Sequence, residues 1–404
     1  MPKPRANPSP RSRPRAHASR IENACDAAAE AASSLDADTA LVRALVSWFR
    51  RNARPLPWRT TPRRPWPSLV SEVMAQQTQI ARVIEKFQGF LDAFPSPAAL
   101  ADAHESDVLA AWSGLGYYRR ARLLQRAARA ITESHGGVIP STVEDLLALP
   151  GVGRYTAGAI ASIVFGNRAP IVDGNVSRVL LRVSAKHATA ADAAPWVWGR
   201  AERLAGVAGA DVAAFNEGLM ELGALVCTPR NQRCHECPLA GLCQANARGV
   251  QEQIPRPKTP PTRTTIRADV VVVRDARGRY LVEQRPDSGL WASMWQAPTR
   301  EATGPNPSAG PIFEEDPAPT LASDLGLGPV SGVQGPEEFT HDTSHRRVEF
   351  RVWTAIAAGR ATRGRRWMTR EELVKLPLAN PQRTMLLGPG HPRTRAARPR
   401  TLRQ

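Results

Sequence analysis

Cysteine is scarce in this chain, with five in 404 residues, and long apolar runs are missing. No stretch reaches the ~18–20 consecutive apolar residues that a helical membrane span needs, and residues 1–20 lack the hydrophobic segment of a secretory signal. Both absences lead us to expect a soluble protein that is not exported, makes no membrane contact and sits in the cytoplasm. The cysteines do not suit a disulfide framework either. Cys25 stands alone, and the other four fall between Cys227 and Cys243, the pattern of a metal site in a reducing compartment.

Acid is missing from the first twenty residues and from 389–404. Lys3, Arg5, Arg11, Arg13, Arg15 and Arg20 open the chain, and Arg393, Arg395, Arg398, Arg400 and Arg403 close it. Those eleven charges leave only +6 of the net +17 for the interior. We read the ends, 1–38 and 389–404, as disordered basic arms with a sequence-blind attraction to phosphate; a purely solubilising role is the alternative. The N-terminal arm is also similar to an organelle transit peptide, but Pro2, Pro4, Pro8, Pro10 and Pro14 would break the amphipathic helix such peptides form.

Between the arms the apolar period changes once. Leu69, Val70, Val73, Met74, Ile80, Val83, Ile84, Phe87 and Leu91 recur at helical steps. Further helical segments are predicted at 107–112, 119–132, 142–149, 155–165, 174–185, 195–206 and 211–226, so 39–250 is an all-α domain. A Pro-rich linker spans 251–263. Strand-like runs at Ala268–Arg274, Tyr280–Gln284 and Arg347–Ile356, with a hairpin signal at Asp275–Arg279 and a capping-box spacing at Thr369 and Glu372, make 264–388 an α+β domain.

Three constellations carry chemistry. The first is Cys227, Cys234, Cys237 and Cys243, separated by six, two and five residues. Zinc ribbons present two separated Cys-x-x-Cys knuckles and this run has one, so four thiolates on a [4Fe–4S] cluster fit better than four on zinc. The second is Leu149-Pro-Gly-Val-Gly153 between two helical segments, the first opened by Ser141-Thr-Val-Glu144 in capping-box form. That is a helix-hairpin-helix, in which Gly151 and Gly153 let the backbone approach a phosphate at a helix N-terminus; an ordinary helical turn would not need both glycines.

The third is a pair of carboxylates. Glu72 sits in Val70-Ser-Glu-Val-Met-Ala-Gln-Gln-Thr-Gln79 and would alone be read as a solvent-facing helix residue, but Gln76, one turn on, and Gln77 beside it supply amides suited to base edges. Asp173 opens Asp173-Gly-Asn-Val176, where an N-cap or Asx turn is the plain reading. A neutral acid paired with an anion is what cleavage of a glycosidic bond requires.

Taken with Leu56-Pro-Trp-Arg59, Ser71-Glu-Val-Met74, Gln76-Gln-Thr78, Gly114-Leu-Gly-Tyr-Tyr118 and Val172-Asp-Gly-Asn175, these features closely resemble the A/G-specific adenine glycosylases of the endonuclease III superfamily, over about 41–387. The resemblance implies a multidomain protein: an all-α helix-hairpin-helix glycosylase domain with a [4Fe–4S] loop, followed by an α+β Nudix-like recognition domain. It implies Glu72 as general acid at adenine N7 and later the group that handles water, and Asp173 as the group that stabilises the sugar cation. Tyr155 and Asn175 would support the two carboxylates, with Arg54 nearby. Gln76 and Thr78 would contact the DNA, and Gln77 and Tyr117 would wedge into it. Tyrosine at 155, where bifunctional relatives carry a nucleophilic lysine, implies base removal without strand cleavage. Arg230 and Arg233, between the first two cysteines, would belong to a basic loop on the DNA backbone.

In the second domain Gly289-Leu-Trp-Ala-Ser-Met-Trp295 resembles the Nudix-like domain by which that family recognises 8-oxoguanine. The glutamate-rich helix that an active Nudix hydrolase uses to hold magnesium is missing between 296 and 330. His341-Asp-Thr-Ser-His345 aligns with the recognition loop, where Ser344 and His345 could donate hydrogen bonds, but Thr343 replaces the usual phenylalanine. The expected partner is duplex DNA with adenine opposite 8-oxoguanine or guanine, met by a monomer associated with the nucleoid if the source is bacterial. A sister glycosylase for thymine or oxidised pyrimidines, a silent DNA-binding scaffold and a nucleotide pyrophosphatase are the rival readings.

Overall fold

A computed structural model describes residues 35–257, 263–303, 320, 330–343, 345–357, 361 and 364–388. The basic arms up to residue 34 and from 389, Cys25, the acidic run Glu314–Asp316 and Ser344 lie outside the described residues; 35–38, expected in the N-terminal arm, instead open the first helix, with Asp38 buried and paired with Arg200 and Arg203. Compactness divides the chain into two discontinuous units. One is Met1–Pro55, Ser141–Leu147 and Val152–Lys258; the other is Leu56–Pro140, Ala148–Gly151 and Thr259–Gln404. Among the described residues no helix is long and apolar enough to cross a membrane.

The first unit packs helix α1 (35–52) with α9 (Gly174–Val183), α10 (Ala194–Ala208) and α11 (Val212–Leu225). Leu45, Leu180, Val197, Phe215, Leu219 and Leu222 meet in its core. Helix α9 is buried along its whole length from Val176 to Val183, Arg178 and Arg182 included. A buried arginine persists only when its donors are satisfied, and both are, by backbone carbonyls. The stretch we expected to be linker begins docked on this unit: Ile254 is fully buried, its carbonyl accepts from Arg182 Nε at 2.8 Å, and Arg256 N–H donates to Ala188 O at 2.9 Å.

The second unit holds α2 (Pro65–Ala75), α3 (Ile80–Ala93), α4 (Pro97–Asp102), α5 (Glu105–Ala111) and α6 (Arg119–His135) together with the C-terminal sheet. The apolar period at 69–91 belongs to two helices instead of one face. Helix α2 stops at Ala75, Gln76 is its C-cap, and Ile84 is 41% exposed. Helix α6 ends at Gly136, whose left-handed backbone (φ 58°) lets the next N–H, of Gly137, reach Ile131 O at 3.0 Å.

The sheet runs β3 (Trp295–Gln296), β2 (Tyr280–Gln284), β1 (Thr264–Arg274), β6 (Arg346–Ala357) and β5 (Val330–Asp342), with β4 (Thr299–Thr303) on β1 and β7 (Arg365–Met368) on β2. Strands β1 and β6 are parallel and the other pairs antiparallel. The Val270–Val273 run has no alternation because both of its faces are covered: Val270 and Val272 enter one core, Val271 and Val273 another. Buried Asp269 is neutralised across the sheet by Arg351 at 2.7 and 2.5 Å. The capping box at Thr369 and Glu372 forms as predicted. This domain is tied to the helices of its own unit through Arg383 Nη2 to Ser113 Oγ and Arg122 Nη2 to Ala292 O, both 2.8 Å.

Candidate active site and nucleic-acid interface

Helix α2 buries Trp66, Leu69, Val70, Val73 and Met74 and leaves Glu72 half-buried. Past its end the chain turns. Gln76 is half-buried, Gln77 is exposed in the left-handed region (φ 53°), and Thr78 Oγ lies at hydrogen-bond distance from the carbonyl of Gln76 (3.3 Å). Tyr117, after Gly114 and Gly116, is also left-handed (φ 49°) and is 50% exposed. A side-chain-bearing residue in that region stores strain and is held by its surroundings. The second unit therefore groups Glu72, Gln76, Gln77 and Thr78 on one helix end and presents two strained, exposed side chains at Gln77 and Tyr117.

Asp173 belongs to the first unit and is the N-cap of α9. Its Oδ1 accepts from Val176 N–H at 2.7 Å and its Oδ2 from Asn175 Nδ2 at 2.9 Å. Asn175 Oδ1 in turn accepts from Arg178 Nη2 at 2.9 Å, and Arg178 also donates to Cys227 O (2.7 Å) and Gly223 O (2.8 Å). Burial lowers the Arg178 pKa from its usual value. Gly223 leaves the space for this chain of bonds: a Cβ there would sit 2.6 Å from Asn175 Cβ. Asn175 thus hydrogen-bonds Asp173, and the bonds continue through Arg178 to the backbone of the first cysteine.

Tyr155, half-buried on α8 (Arg154–Ala159), donates its hydroxyl to Met220 Sδ at 3.1 Å. Arg54 is gripped by the buried Glu221, with Nε to Oε1 at 2.7 Å and Nη2 to Oε2 at 3.0 Å. That hydrogen-bonded pairing raises the Arg54 pKa.

The hairpin differs from the sequence reading in two details. Helix α7 (Val143–Ala148) is capped one residue later than expected: Thr142 Oγ1 accepts from Asp145 N–H at 3.1 Å and donates to its carboxylate at 2.7 Å, in place of Ser141 with Glu144. The helix expected over 155–165 is α-helical only to Ala159 and continues as a π-turn, Ile160–Val164. Ser162 within that turn bonds Gly158 O and accepts from the buried Asn216. Gly151 is left-handed (φ 80°), and a Cβ there would meet Leu123 at 2.6 Å. Around Gly153 a Cβ would meet nothing within 4 Å. Gly153 is thus not demanded by internal packing, which suits a position approached from outside.

Cys227, Cys234, Cys237 and Cys243, all half-buried, line one pocket of about 400 Å³ of empty volume, part of it open to solvent, together with Arg182 and Val226. Among the described residues no three His, Cys, Asp or Glu side chains are gathered closely enough to hold a metal ion. Burial pushes the Cys237 thiol up to about 12 and raises Cys234 and Cys243. Arg182 Nη1 lies 3.4 Å from Cys227 Sγ. Four cysteines lining one pocket make its wall rich in sulfur donors. Arg230 is exposed, while Arg233 donates to Leu225 O and pairs with Glu236.

In the C-terminal domain the expected recognition loop is the turn from β5 to β6. Thr343 makes that turn: its N–H donates to Arg346 O at 2.8 Å and its Oγ1 accepts from Arg346 N–H at 3.0 Å. A side chain so used is no substitute for a stacking ring. His345 is exposed at the tip and His341 packs 5.9 Å from Trp291, with burial lowering its pKa.

Arginines 120, 178 and 182 and Glu221 were not foreseen as site residues. For Arg178, Arg182 and Glu221 the one sequence signal is a charge inside an apolar stretch, which marks an ion that must find partners; Arg120, in Arg119-Arg-Ala-Arg122, carries none.

Two family profiles match the chain. Residues 70–194 match the HhH-GPD superfamily of base excision DNA repair proteins and residues 269–387 match the NUDIX domain. The first interval contains Glu72, the hairpin and Asp173. The chain is 36% identical over 397 residues to the adenine DNA glycosylase of Homo sapiens, covering 83% of this chain and 71% of that one. It is likewise 36% identical over 393 residues to that of Rattus norvegicus, covering 83% and 75%. With the adenine DNA glycosylase of Mycobacterium tuberculosis it shares 46% over 197 residues, 48% of this chain and 64% of that one. With a helical base-excision-repair domain, a mixed-sheet NUDIX domain and identity sustained across both, the chain belongs to the adenine DNA glycosylase family.

Proposed function

We propose that this enzyme removes adenine mispaired with 8-oxoguanine or guanine from duplex DNA and leaves an abasic site without cutting the strand. The observation that carries the chemistry is Asp173, an acid whose two oxygens are both fixed by hydrogen bonds while Asn175 is itself anchored by Arg178. A carboxylate so oriented stabilises positive charge without having to reorganise as that charge develops.

Glu72 delivers a proton to N7 of the adenine, which lets the C1′–N9 electron pair leave with the base. Asp173 shelters the oxocarbenium ion that remains, Glu72 then takes a proton from water, and the hydroxyl adds to C1′. Tyr155 offers no amine, so no Schiff base forms and β-elimination has no starting point. The hairpin glycines seat a phosphate, Gln76 and Thr78 contact the opened strand, and Gln77 and Tyr117 fill the duplex as adenine is extruded. His345 and Ser344 recognise the oxidised partner base. The four cysteines hold a [4Fe–4S] cluster that fixes the loop carrying Arg230; when bound it supplies structural cross-linking.

One assay tests the reaction. Single-turnover incubation with an 8-oxoguanine:adenine duplex is expected to release adenine and leave strands intact until alkali is added, and borohydride is expected to trap no covalent complex. Efficient trapping would overturn the monofunctional reading. Anaerobically purified protein is expected to contain iron and sulfide at about four each per chain; stoichiometric zinc without iron would overturn the cluster.

A further inference from the structure

Arg120 is 8% exposed, and its two terminal nitrogens serve six acceptors. Nη1 donates to the carbonyls of Val73 and Met74 at 2.9 Å and to that of Gln76. Nη2 donates to Thr78 Oγ1 at 2.9 Å and to the carbonyls of Leu115 at 3.2 Å and Gly116 at 3.1 Å. The first set lies at the C-terminal end of α2, where carbonyls lack intrahelical donors and the helix dipole favours a cation. The second reaches both segments that carry left-handed, exposed residues: Thr78 follows Gln77, and Gly116 precedes Tyr117. The guanidinium also lies 5.4 Å from the Tyr117 ring and 5.5 Å from Trp112. Its Nε is buried without a hydrogen-bond partner, so the side chain gives up solvation to stay there. Burial lowers its pKa to about 10, which still leaves it charged at neutral pH.

We infer that Arg120 is a positioning residue for base extrusion: one buried guanidinium locks the Gln77 and Tyr117 segments together and holds both side chains in the strained backbone conformation that presents them to the duplex. The inference rests on Gln77 and Tyr117 being the groups that enter the DNA. A left-handed non-glycine residue relaxes unless its surroundings over-determine it, and the four N–H groups of the two terminal nitrogens, shared among six acceptors, provide that constraint on two segments about 40 residues apart in sequence. Lysine has three donors at one point and cannot span both sets of acceptors.

A mutant cycle in the full-length protein tests this, read as the single-turnover rate of adenine release with saturating enzyme. Arg120→Lys is expected to slow release about tenfold in the native background, but less than about twofold when Gln77→Ala and Tyr117→Ala are already present, because residues that act as a unit are non-additive. Should Arg120→Lys multiply the loss equally in both backgrounds, Arg120 acts elsewhere and the inference falls. If the Gln77→Ala/Tyr117→Ala protein keeps the native rate, the wedge assignment itself falls and takes the inference with it. Should Arg120→Lys lower the melting temperature too far for assay, the same cycle is run with Arg120→Gln at a temperature below its unfolding; the loss is expected to show the same dependence on background, and a loss independent of background would count against the inference.

Discussion

Glu72→Gln is expected to lower the single-turnover rate of adenine release by about 10²–10⁴-fold while leaving affinity for the mismatched duplex within about threefold. Glutamine matches glutamate in shape, and at a half-buried position on α2 it disturbs neither Val73 nor Met74 on the packed side. It cannot pass a proton to a leaving purine. Because the groups proposed to bind the duplex are the hairpin backbone and the wedge residues, the affinity should survive. Measuring base release and duplex binding on the same preparation separates the enzyme from a silent DNA-binding scaffold: a scaffold would show no release from the native protein. A Glu72→Gln protein that released adenine at the native rate would remove Glu72 from the chemistry.

Much of this architecture was legible because apolar spacing is a direct trace of burial. Segments predicted at 119–132, 174–185 and 211–226 are the helices Arg119–His135, Gly174–Val183 and Val212–Leu225, since each has a face that must leave water. Strand β5 left no such trace. Most of its side chains are exposed, so no alternation is selected, and Gly332, Gly335 and Pro336 read as breakers. The break after Ala75 was hidden for the opposite reason. Ala75-Gln-Gln-Thr-Gln79 is acceptable in a helix, and what ends α2 there is a guanidinium from a helix some 40 residues on. Buried arginines are generally illegible in this way when their partners are main-chain carbonyls, which every residue has. The capping at α7 shows a smaller ambiguity: Ser141 with Glu144 and Thr142 with Asp145 have the same spacing, and only the backbone path chooses the second.

Asp173 carries two roles that a pair of variants can separate. As an N-cap it accepts the Val176 N–H, a role serine and asparagine fill about equally well. In its proposed role it is an anion opposing positive charge at C1′, which neither replacement can be. Asp173→Asn keeps the cap but puts an NH₂ where Oδ2 accepts from Asn175 Nδ2; flipping the Asn175 amide to relieve that conflict would turn a second NH₂ toward Arg178 Nη2. Asp173→Ser keeps the cap and introduces no such clash. If the charge is what matters, both variants should lose about 10²–10³-fold in base release, although the serine variant gives up only the Asn175 Nδ2 bond and leaves those of Arg178 in place. The serine protein should unfold within about 1 kcal/mol of the native one. A serine variant that released adenine at close to the native rate, with only the asparagine variant impaired, would transfer the effect from the anion to the hydrogen-bond chain, and Asp173 would then be a capping residue with no part in stabilising the sugar cation.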